Sequence, residues 1–159
     1  MTFAIRHAEP EDYASIITAV NEWWGGRRMA EMLPKLFFIH FRETSFVADS
    51  GGRTVGFLAG FRSQTRTEQA YIHFVGVDPG WRGSGGARAL YERFFTAARE
   101  ASCSEVHGVT SPLNKGAIAF HAAMGFELLP GDAVSDGVPY VTDYDGPGEP
   151  RVLLRKRIQ

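Results

Sequence analysis

The sequence predicts one α/β domain of the α+β type, in which antiparallel hairpins come first and a single strand, loop, helix, strand unit follows. Three observations lead there. Polar or glycine-rich turns separate alternating apolar segments early in the chain. A very apolar segment, Tyr71 to Val77, runs into a glycine cluster and then into residues of helical periodicity. The length, 159 residues with 44% hydrophobic and 22% charged positions, suits one core and leaves little for a second.

Phe3 and Ile5 alternate with Ala4 and Arg6 as a first strand, and Pro10-Glu11-Asp12 opens a helix carrying Tyr13, Ile16, Ile17 and Val20. The run Trp23 to Arg28 (WWGGRR) breaks it. A second helix is expected over Met29 to Phe41, despite Pro34. Ser45 to Asp49 and Thr54 to Phe61 read as a hairpin around Ser50-Gly51-Gly52-Arg53, because paired glycines tolerate the positive φ of tight turns. Another hairpin turn falls near Thr65 to Glu68. Tyr71 to Val77 carries little charge on either face, which predicts a central strand ending at Asp78-Pro79-Gly80. Beyond the glycines, Ala87, Leu90, Phe94, Ala97, Ala98 and Ala101 recur at helical spacing, and Glu105 to Thr110 resumes strand. Lys115 to Met124 is a further helix stopped by Gly125, followed by strands at Phe126 to Leu129 and Val152 to Leu154. The intervening Gly131 to Pro150, rich in Gly, Pro and Asp, reads as a long loop or an extended hairpin.

Charge and composition narrow the partners. Lys plus Arg (17) nearly balances Asp plus Glu (18), so no overall field favours nucleic acid or an anionic membrane. The single cysteine, Cys103, has no internal disulfide partner, and no run approaches the ~20 apolar residues of a membrane span. The start lacks the basic and apolar regions of a signal peptide, so a cytoplasmic location is the default expectation.

Val77 to Ala87 (VDPGWRGSGGA) sets glycines and Ser84 between a buried strand and a helix start. Free amides converge there and the helix dipole is positive, which suits an anion; the loop taken alone is equally a loose turn. A P-loop does not fit, since no Lys followed by Ser or Thr closes the run. A dinucleotide fingerprint fits only partly: Arg88 stands where its third glycine belongs, although Glu105 lies near the place of a ribose-binding acid.

Arg82-Gly83-Ser84-Gly85-Gly86-Ala87 resembles the Arg/Gln, two residues, Gly, one residue, Gly/Ala pattern of the GNAT superfamily of acyl-CoA N-acyltransferases, flanked as usual by Val77-Asp78-Pro79 and Leu90. Asn114, Ala117, Gly125 and Phe126 resemble its second signature, an Asn-led helix ending in Gly-Phe. The resemblance implies a GNAT-like fold: a mixed, mostly antiparallel sheet flanked by helices and splayed where Tyr71–Val77 and Glu105–Thr110 run parallel. It implies acetyl-CoA as cosubstrate and no metal. Pantetheine would pair with the main chain of Phe74, Val75, Gly76 and Val77, with Gly76 suited to a bulge or close approach. Pyrophosphate would rest on the amides of Gly83, Ser84, Gly85, Gly86 and Ala87, Arg82 would add charge at the rim, and Asn114 would line the cleft.

The implied reaction is direct attack of an amine on the thioester, without an acyl-enzyme, and its hardest need is a neutral amine where the ordinary pKa is ~10.4. A strand amide near Val75 is the expected oxyanion donor. His121 stands seven residues after Asn114, where relatives often carry a Tyr that protonates the leaving thiolate, and packing on the helix face is its other reading. His73, in a row with Tyr71 and Val75, is the candidate base or water relay, the alternative being a hydrogen-bonded core histidine. His107 has no motif behind it, and Cys103 is read as inert. The resemblance sets Trp23, Trp24, Arg27 and Arg28 beside the acceptor entrance and Tyr140, Asp143, Tyr144 and Asp145 on the opposite wall, for a small-molecule or peptide amine; the Trp pair reads equally as core anchors at the helix junction, and the acids as solvated side chains. The competing functions are an acetyl-CoA-binding sensor without catalysis and a dinucleotide oxidoreductase.

Overall fold

The computed structural model describes residues 2–159. The strands β1 (Ala4–His7), β2 (Phe46–Ser50), β3 (Arg53–Arg62), β4 (Gln69–Val77), β5 (Glu105–Thr110) and β6 (Glu127–Leu128) join β9 (Val152–Arg157) in one seven-stranded sheet ordered β1-β2-β3-β4-β5-β9-β6. β7 (Ala133–Ser135) and β8 (Val138–Tyr140) form a separate hairpin. Every pairing in the large sheet is antiparallel except β4 with β5, so the sheet is mixed and mostly antiparallel.

Both early hairpins form. Gly51 and Gly52 take φ of +59° and +88° in the first, and Asp49 Oδ1 accepts from the Gly52 amide at 2.8 Å. The second closes with Ser63 N–H donating to Gln69 O at 2.9 Å. Within the late segment Gly131 to Pro150, β7 and β8 make a hairpin over 133–140, and a bridge between Val141 and Arg151 closes the loop that follows.

Helices cover both faces. On one side α3 (Gly86–Glu100) buries Leu90, Tyr91, Phe94 and Phe95 against Leu58, Ile72, Val106 and Leu154, and α4 (Lys115–Ala123) packs its half-buried Ile118 and Phe120 on the same core. α1 (Tyr13–Trp23) and the short α2 (Phe37–His40) bury Ile16, Val20, Phe37 and Phe38 against Val47, Phe57 and Ala59 on the other. The helix expected over Met29 to Phe41 is corrected: the segment divides into a 3-10 turn at Ala30–Met32, the four residues of α2 and another 3-10 turn at Arg42–Thr44. Pro34 accounts for the break, since it lacks an N–H and disfavours helical backbone at Leu33, whose ψ is 85°. Among the described residues no helix is long and apolar enough to cross a membrane.

Candidate active site

β4 and β5 are paired only over Gln69–Glu105, Ala70–Val106 and Tyr71–His107. Beyond that point they part. From Ile72 onward β4 keeps β3 as its only strand partner, so one edge of its second half is open towards β5. Glycine helps hold the apex narrow: a Cβ on Gly108 would sit 3.4 Å from the Ile72 carbonyl oxygen.

The open half of β4 leads to the glycine loop. Asp78 anchors its start, accepting from the Gly80 amide at 2.9 Å and pairing with Arg53 at 2.6 Å. Gly83 and Gly85 take φ of +80° and +88°, values that other residues reach only under strain. With nothing in place of their hydrogens within 4 Å, both are open to solvent. Ser84 Oγ accepts from the Gly86 amide, whereas the amides of Gly83, Gly85, Ala87 and Arg88 find no partner among the described residues. Such a set of free N–H groups at a helix start binds anions. Arg82 is exposed beside the loop, and its guanidinium donates to the Trp23 carbonyl at 2.7 Å, satisfying the end of α1. Asn114 caps α4 by accepting from the Ala117 amide at 3.1 Å.

The bulge in β4 falls elsewhere than expected. The register passes from Gly60–Ile72 to Ala59–Phe74, which leaves His73 as the extra residue. His73 therefore shares the α1 and α2 face with Phe74, while Val75 turns to the α3 face, and the expected row of Tyr71, His73 and Val75 is broken. Its ring stacks on Phe37 at 4.8 Å and its Nε2–H donates to Met32 O at 2.6 Å. Gly76 serves packing: a Cβ there would lie 2.6 Å from Phe57 and 2.7 Å from Trp24.

His121 is engaged on both sides. A carbonyl only accepts, so its Nδ1–H donates to Ala117 O at 2.7 Å, and Nε2 accepts the Tyr91 hydroxyl proton at 2.9 Å. Burial lowers the His121 pKa against the opposing effect of the Ala117 carbonyl, and burial alone pushes the Tyr91 phenol upward. The imidazole thus has both nitrogens engaged inside the α3–α4 seam.

Of the residues expected at the acceptor walls, Trp23 is buried on Phe57, and the half-buried Trp24 lies on Phe74 at 5.0 Å. Arg27 is exposed, and Arg28 pairs with Glu31 at 2.9 Å in solvent. Tyr140 packs against the α3-side core. Asp143 spends its carboxylate on the Gly148 amide at 2.7 Å, and Asp145 pairs with Arg151 at 2.8 Å, so these acids organise the loop. Tyr144 lines a cavity. That cavity, of about 330 Å³, sits at the apex of the split, walled by Phe61, Tyr71, His107, Gly108, Tyr144 and Leu153. Burial, with Tyr144 and Asp145 adding to it and Arg151 opposing, pushes the Tyr71 phenol up to about 12.

Residues 5–126 match the acetyltransferase (GNAT) family. The chain belongs to that family. An uncharacterized N-acetyltransferase of Methanocaldococcus jannaschii is 35% identical over 86 residues, covering 52% of this chain and 38% of that protein. The chain thus spans less than half the length of the curated relatives it matches. Among solved structures, Ard1 from Thermoplasma volcanium superposes with a TM-score of 0.77 at 21% identity, over 100% of this chain and 99% of that one. The protein yncA from Salmonella typhimurium, solved with its cofactor acetyl-CoA, gives 0.67 at 17% identity over 100% and 95% of the two chains. At such identities the structural likeness establishes the GNAT fold. No histidine, cysteine, aspartate and glutamate cluster among the described residues is arranged to hold a metal ion.

The structure also brings forward residues for which the sequence offered no motif. Glu105 and His107, two apart on β5, point to one face, and His107 Nε2 lies 2.8 Å from Glu105 Oε1. The available signal was this alternation beside Tyr71 on the parallel strand.

Proposed function

We propose that the chain transfers an acetyl group from acetyl-CoA to a primary amine of a small molecule or peptide, by direct attack and without a covalent acyl-enzyme. The observation that carries this reading is the parting of β4 from β5 immediately after Tyr71 and His107, with unpartnered amides at one end of the split and a cavity at the other. Pantetheine lies along the open edge of Phe74, Val75, Gly76 and Val77, as an added strand would. Pyrophosphate takes the amides of Gly83 to Ala87 and the positive end of α3. A β4 amide near Val75 polarises the thioester carbonyl as negative charge develops on its oxygen. The thiolate, with an ordinary thiol pKa of about 8.5, leaves without a dedicated acid. His121 has no step in this scheme.

The acceptor reaches the thioester through the cavity. Phe61, Tyr71, Tyr144 and Leu153 give it an aromatic and apolar wall, which suits an apolar arm, and Ser63, Thr65, Arg66 and Gln69 give it a polar one. Free-thiol release from acetyl-CoA across a panel of arylalkylamines, polyamines, amino acids and short peptides tests the reading. Acetyl-CoA binding with no thiol release on any amine identifies a sensor instead. Calorimetry tests the cofactor site separately: Gly85→Glu forces a side chain into a left-handed position and sets a carboxylate at the phosphate, and we expect affinity for acetyl-CoA to fall at least tenfold. Unchanged affinity in the folded variant would remove the loop from the site.

A further inference from the structure

We propose that His107, oriented by Glu105, is the base that takes the proton from the acceptor ammonium. This rests on the acetyl-transfer reading and goes beyond it by assigning the proton. Three independent placements meet at this residue. The last pairing of β4 with β5 is Tyr71 with His107, so the imidazole stands at the apex where the strands separate. Its side chain lines the apical cavity, which neither His73 nor His121 does. It is also the histidine held by a carboxylate, at 2.8 Å, with side-chain exposures of 17% for His107 and 24% for Glu105.

The hydrogen bond decides the tautomer. A carboxylate has no proton to give, so Nε2 carries the hydrogen and donates it to Glu105 Oε1. Nδ1 then keeps its lone pair and makes no hydrogen bond among the described residues. The bond from His107, reinforced by the cations Arg155 and Arg157, holds the Glu105 carboxyl below its ordinary range and therefore ionised. The opposite arrangement is found at His121, where the nitrogen free of backbone is closed by Tyr91. His73 is anchored through Nε2 to Met32 at the α2 side, outside the cavity lining.

The proton count closes. An ammonium entering the cavity gives one proton to His107 Nδ1, and Glu105 stabilises the imidazolium that results. The neutral nitrogen attacks the thioester carbonyl carbon; the C–N bond forms, the C–S bond breaks and sulfur leaves with its electron pair. The second nitrogen proton neutralises the sulfur as coenzyme A thiol, and the imidazolium returns the first proton to water. The products are the acetamide, the free thiol and one proton.

The charged and titratable groups around the imidazole are Glu105 on its own strand, Tyr71 beside it on β4, Arg155 opposite it on β9, and Arg66 and Tyr144 around the cavity. Tyr71 stays protonated through neutral and moderately alkaline pH.

The test uses the amine that the wild type turns over best in the panel. His107→Ala and, as a milder change of shape, His107→Gln are expected to lose about 100-fold in kcat, the lower end of the range for a positioned base. KM for acetyl-CoA and the calorimetric affinity for coenzyme A should stay within about twofold of wild type, since the imidazole touches neither the phosphate loop nor the pantetheine strand. Added imidazole should restore part of the rate in His107→Ala. The deficit should also shrink as pH rises toward the amine's own pKa of about 10, where no base is needed. Glu105→Gln, which retains a hydrogen-bond acceptor but loses the charge, is expected to lose about tenfold in kcat with the same unchanged affinity. A wild type that binds acetyl-CoA and acetylates nothing would sink the acetyl-transfer reading and this proposal with it. A wild type that acetylates amines, with either folded His107 variant keeping its kcat, would overturn the base assignment alone. A loss of kcat in both variants that is independent of pH and unaffected by imidazole would likewise overturn it, in favour of a purely packing role.

Discussion

Tyr91 and His121 satisfy each other inside the α3–α4 seam, where the hydroxyl is 2.9 Å from Nε2 and Tyr91 is 3% exposed. His121→Phe leaves that hydroxyl without an acceptor, which costs about 1–3 kcal/mol. At about 2–4 °C per kcal/mol for a chain of this size, the melting temperature should drop by several degrees. Turnover should stay near wild type, and adding Tyr91→Phe should recover most of the lost stability, since no polar group is then stranded. The same pair predicts an acid limb in stability. Burial lowers the His121 pKa in the fold, while the unfolded chain takes up the proton near about 6.5. The unfolded state therefore binds more protons below that pH. The contribution of the neutral imidazole is full above about 6.5 and is lost as pH falls through that value towards the lower folded pKa. Urea midpoints at about pH 7.5, 6.5 and 5.5 should decline in wild type and change less in His121→Phe. The position of His121 seven residues after Asn114 was legible in the sequence, but its two hydrogen-bond partners were not. One of them, Tyr91, comes from a different helix.

At the scale of elements, β4 shows how local pattern and packing diverge. Alternation predicts that Tyr71, His73 and Val75 share a face, and one extra residue at His73 reverses everything after it. Nothing in the residues themselves announces that insertion. It falls opposite the step from Ala59 to Gly60, and at Gly60 a Cβ would come 2.5 Å from Phe94 and 2.8 Å from the Tyr71 carbonyl. Gly76 is the other tight point, because the Trp24 ring at the end of α1 crosses directly over it. Gly76→Ala should cost about 1–3 kcal/mol as an overpacking change, read as a lower urea midpoint with an unchanged slope. If Gly76 chiefly made room for pantetheine, the loss would appear in acetyl-CoA affinity with little change in the midpoint. The hairpin glycines were readable because a tight turn demands positive φ within a few residues. The second helix was misread because apolar periodicity from Met29 to Phe41 outweighed Pro34. The aromatic pair Trp23-Trp24 suggested a substrate wall for the same reason that it makes a good core: large flat rings bury well against either.

At the scale of the molecule, the sheet order decides which walls depend on which. The split lies between β4 and β5, yet β5 is supported on its far side by β9, with six paired positions from Glu105–Arg157 to Thr110–Val152. The cavity takes Leu153 and Leu154 from that same strand and Tyr144 from the loop that precedes it. The proposed cofactor side is local in sequence, a glycine loop and the helix that it opens, so two motifs point to it. The cavity proposed for the acceptor is assembled from β3, β4, β5, β9 and the late loop, so no short stretch of sequence declares it. Arg82 joins the halves in another way, reaching from the glycine loop to the last turn of α1.

Seating β9 between β5 and β6 also fixes an order of assembly. β1 to β4 are neighbours in both chain and sheet, so they can pair as they emerge from a ribosome. β5 meets β4 over only three positions, and β6 has no strand partner except β9. Both must wait until the late hairpin and then β9 have been made. Non-local pairings of this kind form slowly, because a loop must close before any contact rewards it. Pulse-labelled hydrogen exchange during refolding should protect the β2 and β3 amides before those of β5 and β9, and simultaneous protection would contradict this order. A nascent chain halted short of Val152 would carry the glycine loop and the open edge of β4 but lack a finished far wall. If the chain acts as proposed, acetyl transfer waits until β9 has left the translation tunnel.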